Sequence, residues 1–184
     1  MEHRLTTKDL LRNLLKSSRD PFITPERLLD IQKVLMTSSN FSGVNHLIMV
    51  KTYLEPDLYP FHLTKEEAVS QAKLAIDERN PIGYFYLYLL SDREEEKRKY
   101  LNISLMTRYG CAYLEYANLL HEGRLYQKNV DKAYLYFRKA ADKGLADGYF
   151  GMMKIDIERE DYEMEKKHFE EARRKGIVLP GVVR

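Results

Sequence analysis

Five histidines (His3, His46, His62, His121 and His168) and one cysteine, Cys111, are the residues whose chemistry would say most about function. A zinc hydrolase would pair two histidines one helical turn apart with a glutamate between them, so that both ring nitrogens face one metal. No pair here has that spacing. His121-Glu122 precedes Gly123 at an expected helix end, where a solvated or capping role fits. A nucleophilic Cys111 would need a base or cation to hold its thiolate, and its local sequence offers neither. It reads instead as a small packed apolar residue. No glycine-rich phosphate loop and no Gly-x-Ser-x-Gly elbow occurs. The acidic runs Glu94-Glu95-Glu96 and Glu158-Arg159-Glu160-Asp161 alternate with cations, as solvated helix faces do. The sequence thus assigns no catalytic, metal-ligating or cofactor-binding residue, and the expectation is a protein that is not an enzyme and carries no cofactor.

The bulk properties agree with a binding role. A chain of 184 residues can bury a core without disulfides or metals. Thirty basic and twenty-eight acidic residues give a net charge of +2, which argues against a wholesale polybasic surface. No stretch approaches the roughly 18 apolar residues of a spanning helix. With one cysteine no internal disulfide can form, so the expected home is the cytoplasm or another reducing compartment. Organellar import stays open, because the first helix has some presequence character, weakened by Glu2 and Asp9.

The elements that must position any site are helical. Nine glycines and six prolines leave long uninterrupted segments. Leu5, Leu10, Leu11, Leu14 and Leu15 make a first stripe, capped by Thr6 or Thr7. Asp20-Pro21 breaks it, Thr24-Pro25 starts a second helix, and a third covers 44–54. The stretch 55–63, with Pro56 and Pro60, reads as a loop. Thr64 and Glu67 have capping-box spacing and open a helix through Ala68, Ala72, Ala75 and Ile76. Asn80-Pro81 starts another helix, and more are expected over 93–107, 110–122, 129–143, 146–159 and 161–175. Short connections make sequential helices antiparallel neighbours.

Four of these segments align. Ala133, Phe137, Ala140, Gly144 and Tyr149 match Ala68, Ala72, Ala75, Arg79 and Tyr84; Lys97, Leu101, Ser104, Arg108 and Tyr113; and Glu165, Phe169, Ala172 and Gly176. Successive offsets are 29, 36 and 32 residues, the period of a two-helix repeat. Small alanines allow close helix approach, Leu101, Phe137 and Phe169 fill the space between hairpins, and Gly144 and Gly176 suit left-handed helix ends.

Over 110–151, "GCAYLEYANLLHEG", "NVDKAYLYFRKAADKG" and "LADGYFGM" resemble a Sel-one-like repeat, a branch of the tetratricopeptide class. Gly123, Lys132-Ala133, Phe137, Ala140-Ala141 and Gly144 carry the likeness. The unit at 93–109 departs from it, with Lys97 and Ser104-Leu105 in the alanine positions. Tyr116-Ala117 and Phe150-Gly151 stand where the family often has leucine-glycine. The resemblance implies an all-α fold of antiparallel two-helix repeats stacked as a short right-handed solenoid. It also implies an adaptor or scaffold for protein–protein interaction. The expected organisation is an irregular helical cap over 1–63, repeats over 64–176, and a short apolar tail, 177–184, that folds back or enters a partner.

First helices of such repeats line the concave side, which places Tyr84, Tyr88, Tyr113, Tyr116, Tyr149 and Met153 at or beneath a partner groove. The same positions also suit ordinary packing between repeats. Arg4, Lys8, Arg12, Lys16 and Arg19 form a basic ridge beside the leucine stripe, and Lys166, Lys167, Arg173, Arg174 and Lys175 form a second basic cluster. Besides a protein partner, these ends make RNA or ribonucleoprotein (for instance ribosome) contact the alternative. A solvated outer face explains the ridge equally simply. Oligomeric state has no signature in the sequence.

Overall fold

The computed structural model describes residues 7–39, 41–58 and 60–178. Among them are ten α-helices and no strand. They are α1 (Thr7–Ser18), α2 (Pro25–Thr37), α3 (Val44–Leu54), α4 (Lys65–Asp77), α5 (Gly83–Leu90), α6 (Glu94–Met106), α7 (Gly110–Glu122), α8 (Val130–Asp142), α9 (Ala146–Glu158) and α10 (Tyr162–Arg174). A single 3-10 turn, Pro56–Leu58, interrupts the loop expected over 55–63. Leu5 and Thr6, expected in or before the first helix, lie outside the described residues, as do 179–184 of the tail.

Helix starts follow local chemistry. The Thr24 hydroxyl accepts from the Arg27 N–H, and Pro25 supplies the first residue of α2. Thr64 and Glu67 cap each other reciprocally at α4, with both bonds present. Asn129 and Asp161 accept from the Lys132 and Met164 N–H groups. Each such cap stabilises its helix by about 1 kcal/mol.

The repeat is visible in the backbone. Helices α4, α6, α8 and α10 are each 13 residues long, and their starts fall 29, 36 and 32 residues apart. Past each end, the aligned residues Arg79, Arg108, Gly144 and Gly176 all take positive φ, at 63°, 58°, 84° and 70°. In three of the four, the next N–H returns to the same carbonyl of the last turn: Asn80 to Ala75, Leu145 to Ala140 and Ile177 to Ala172. That bond satisfies an orphan carbonyl and turns the chain back along its helix. Glycine takes this conformation freely, whereas the two arginines hold it against Cβ crowding.

The helices form two compact units, Met1–Tyr100 and Leu101–Arg184, with α6 running through the division. In the first, α3 packs on α4 and α4 on α5. Its core joins Leu47, Val50, Ala68, Ala72, Ala75, Tyr86, Leu87 and Leu90. A second cluster of Ile31, Leu35, Met49 and Phe61 receives Leu11, Leu14 and Leu15 from α1. In the second unit α8 packs on both α7 and α9, and α10 packs on α9. Close approach here depends on Gly148 and Gly151. A Cβ at Gly148 would stand 2.4 Å from the Ala141 nitrogen, and one at Gly151 would stand 2.3 Å from the Phe137 ring.

Candidate partner-binding surfaces

The tyrosines of the first helices occupy unlike surroundings. On α5, Tyr84 is half-buried, while Tyr88 is buried with its ring 5.9 Å from that of Phe85. On α7, Tyr113 and Tyr116 are both mostly buried and both meet Tyr136 of α8, at ring distances of 5.8 and 4.7 Å. Tyr126 closes edge-on against Tyr116 at 4.9 Å. Two exposed lysines of α8 cover this aromatic group: Lys139 lies 4.3 Å from the Tyr136 ring, and Lys132 lies 5.2 Å from Tyr116. The bond from Lys132 to the Tyr116 hydroxyl raises the ammonium's pKa. Tyr113 and Tyr116 are thus brought together.

Tyr149, on α9, is 0% exposed. Its hydroxyl donates to Glu171 at 3.1 Å and accepts from the Lys175 ammonium at 2.7 Å. It is an internal strut between α9 and α10. Met153, one turn on, is half-buried. Beside it the structure exposes two residues that were not among the expected partner contacts, Phe150 at 50% and Ile157 at 51%. Their spacing with Met153, i, i+3 and i+7, is one helix face and was the available signal. The helix starts lie 36 residues apart, which sets Phe150 against Leu114 rather than Tyr116, and the equivalent α7 residues Leu114, Ala117 and His121 are all buried or half-buried. Phe150, Met153 and Ile157 therefore form an apolar stripe that has lost the cover its counterpart has.

Three histidines, His46, His121 and His168, carry structural ties. His168, fully buried, has Nδ1 2.8 Å from an Asp156 carboxylate oxygen and Nε2 2.9 Å from the Arg138 guanidinium. Because a guanidinium only donates, Nε2 must accept, and the proton sits on Nδ1 facing Asp156. The Tyr134 hydroxyl shares Nε2 at 3.2 Å. Burial first, and then the Asp156 charge, raise the Tyr134 pKa, so this phenol is held protonated. Glu171 gathers Arg138, Tyr149 and Lys175; burial works to raise its pKa, but their three hydrogen bonds prevail and lower it to about 2.

His121 corrects the expectation of a solvated or capping residue: it is buried, bonds Glu158 at 2.9 Å and stands edge-on to Phe137. His46, also buried, lies 2.7 Å from the Gln71 amide oxygen and 3.4 Å from Glu78, linking α3 to the end of α4. Cys111 is partly exposed. Among the described residues no three His, Cys, Asp or Glu side chains gather as a metal site would need. No described helix is long and apolar enough to cross a membrane.

Of the basic ridge, Arg4 lies outside the described residues and Lys8 falls in the first turn of α1. Arg12 and Lys16 are exposed, and Arg12 stands 3.7 Å from Asp9. In the second cluster Lys166, Lys167, Arg173 and Arg174 are exposed, while Lys175 is tied to Glu171 and Tyr149.

No family model matches the chain, and no curated protein matches it. Among solved structures it is similar to a Sel1 repeat protein from Oxalobacter formigenes, with a TM-score of 0.53 at 16% identity. The match covers 82% of this chain and 45% of that one, so the chain spans less than half of that protein's length. The likeness is one of fold: this chain, like that protein, is an all-α stack of antiparallel two-helix repeats.

Proposed function

We propose that the protein is a non-catalytic adaptor that holds a protein partner on the exposed face of its repeats. The observation that carries this reading is the α9 stripe of Phe150, Met153 and Ile157, left uncovered where the matching α7 face is not. An exposed apolar row on a rigid helix is a usual mark of a docking surface. The likeness to a repeat fold supports the reading, because stacked hairpins present extended surfaces and few reactive clusters. Tyr84 and the Tyr113–Tyr116 group are secondary contacts in this reading, the latter through its lysine-covered edge. Tyr149 contributes by fixing the direction of α10 under the surface.

The test is affinity capture from the native extract with quantitative mass spectrometry, comparing the wild type with Phe150→Glu/Ile157→Glu. Both positions are half exposed, so the melting temperature should stay within a few degrees. Loss of the specific partner set is expected, and an unchanged set rejects the α9 surface. The ribonucleoprotein alternative gains no particular support. The exposed cations of α10 are interspersed with Glu163, Glu165 and Glu170.

A further inference from the structure

A groove of about 1130 Å³ runs along the second half of α1 and ends against Val44, the first residue of α3. This is larger than the roughly 300–1,000 Å³ of small-molecule sites, and it is open along its length, which suits a chain segment. Two stripes of α1 line it. Leu11 and Leu15 are half-buried, resting on the Ile31–Leu35–Met49–Phe61 cluster, and with Val44, 42% exposed, they give the groove its apolar part. Arg12, Lys16 and Arg19, at i, i+4 and i+7, line it with exposed positive charge. One acid, Asp20, joins the lining, and its carboxylate accepts from the Phe22 N–H. The groove therefore offers an apolar track lined by three cations and one carboxylate, with a second carboxylate, Asp9, set 3.7 Å from Arg12, so that positive charge remains in excess.

We infer that this groove docks an acidic amphipathic helix of a protein partner, about two to three turns long. Apolar residues of that helix at i, i+3 or i+4 would cover Leu11, Leu15 and Val44, and flanking Asp or Glu would face Arg12, Lys16 and Arg19. Charge complementarity selects this occupant over the others. Single-stranded RNA needs aromatic platforms for its bases, and no aromatic side chain lines the groove. A bilayer needs an apolar face that projects outward, whereas Leu11 and Leu15 are recessed onto the core. The chain's own end, "IVLPGVVR", brings no acidic residue. The site stands independently of the α9 surface.

The probe is a fluorescein-labelled synthetic peptide of about 14 residues, roughly 21 Å as a helix, with leucines at i, i+3, i+4 and i+7 and glutamates between them. It is titrated with the full chain and followed by anisotropy. Saturable binding is expected that weakens on going from low to physiological salt. Arg12→Glu/Lys16→Glu should weaken it about tenfold or more, and Val44→Asp severalfold. Phe150→Glu/Ile157→Glu should leave it unchanged, which separates this groove from the α9 surface. Equal binding of a scrambled peptide, or of one with lysines for glutamates, would overturn the assignment. So would charge-reversed protein that binds as well as wild type with its circular dichroism intact. Tighter, reversal-sensitive binding of a single-stranded RNA 12-mer (about the length of the track) or of phosphatidylserine vesicles would replace it with nucleic acid or membrane. Self-association abolished by the same reversal, read by sedimentation, would replace it with a second copy of the chain.

Discussion

The hairpins α7–α8 and α9–α10 share a backbone and differ in what fills it. Helix α9 starts 36 residues after α7, and α10 starts 32 after α8, so Tyr113, Tyr136 and Lys139 correspond to Tyr149, His168 and Glu171. In the earlier hairpin these positions hold two rings in contact beneath a lysine. In the later one they hold a buried tyrosine whose hydroxyl meets a carboxylate, beside a histidine fixed by Asp156 and Arg138. The fold asks only for volume at these sites, and either chemistry supplies it. The energetic consequences differ. Ring contacts lose strength gradually as geometry changes. A buried polar network leaves every remaining member unsatisfied when one is removed.

Disturbing the contact that joins the two hairpins, α8 against α9, should have the largest effect. In Gly148→Ala the new Cβ would meet the backbone of Ala141 at 2.4 Å and of Phe137 at 2.7 Å, neither of which can rotate away. A loss of about 3 kcal/mol is expected, the upper end for overpacking, read as a shift in the urea midpoint. A value below about 1 kcal/mol would mean that α8 and α9 separate easily and that the shared backbone does not constrain the pair.

Next comes the ionic hairpin alone. Glu171→Gln keeps the shape but turns an amide N–H toward Arg138 or Lys175, and should cost about 2 kcal/mol near neutral pH. Since Glu171 is depressed to about 2 from an ordinary 4.5, it stabilises the fold fully above 4.5. That contribution fades as pH falls from 4.5 toward 2. The gap between wild type and Glu171→Gln should therefore narrow across that window in denaturant melts. A gap independent of pH would show that the carboxylate's charge is not what the network uses. Lys139→Met, at the matching position of the aromatic hairpin, should cost at most about 1 kcal/mol, with no such acid limb.

Most of the framework was legible because it is written in short-range chemistry. The capping pair Thr64–Glu67, the Asn80-Pro81 break and the alanine periodicity fixed helix limits to within a residue or two. Gly144 and Gly176 were legible as left-handed helix ends, whereas the positive φ of the aligned Arg79 and Arg108 was not, because arginine gives no local hint of it. The surfaces were less legible, since burial depends on partners far along the chain. Tyr149 is hidden by residues 22 and 26 positions later, and His121 by Glu158, 37 positions on. Tyrosine and histidine suit a groove or a core alike, so their type decided nothing. Phe150 and Ile157 carried the opposite ambiguity: apolar residues at helical spacing read as core, and only the structure shows that face uncovered.

The smallest change isolates the comparison most cleanly, because deleting one hydroxyl from each equivalent tyrosine leaves both rings in place. Tyr149→Phe removes the donor to Glu171 and the acceptor for Lys175 from a fully buried tyrosine. The ring's packing is retained, so the cost should be that of a charge-assisted bond, about 1.5 kcal/mol. Tyr113→Phe keeps the ring contact with Tyr136 and the position beneath Lys139, and its cost should stay within about 0.5 kcal/mol. Paired thermal melts of the two variants read the difference directly. Equal costs would mean that Glu171 and Lys175 are as well satisfied without the Tyr149 hydroxyl, and that Glu171 ties α10 to α8 through Arg138 alone. A larger loss for Tyr113→Phe would invert the assignment, placing the hydroxyl-dependent hairpin at α7–α8.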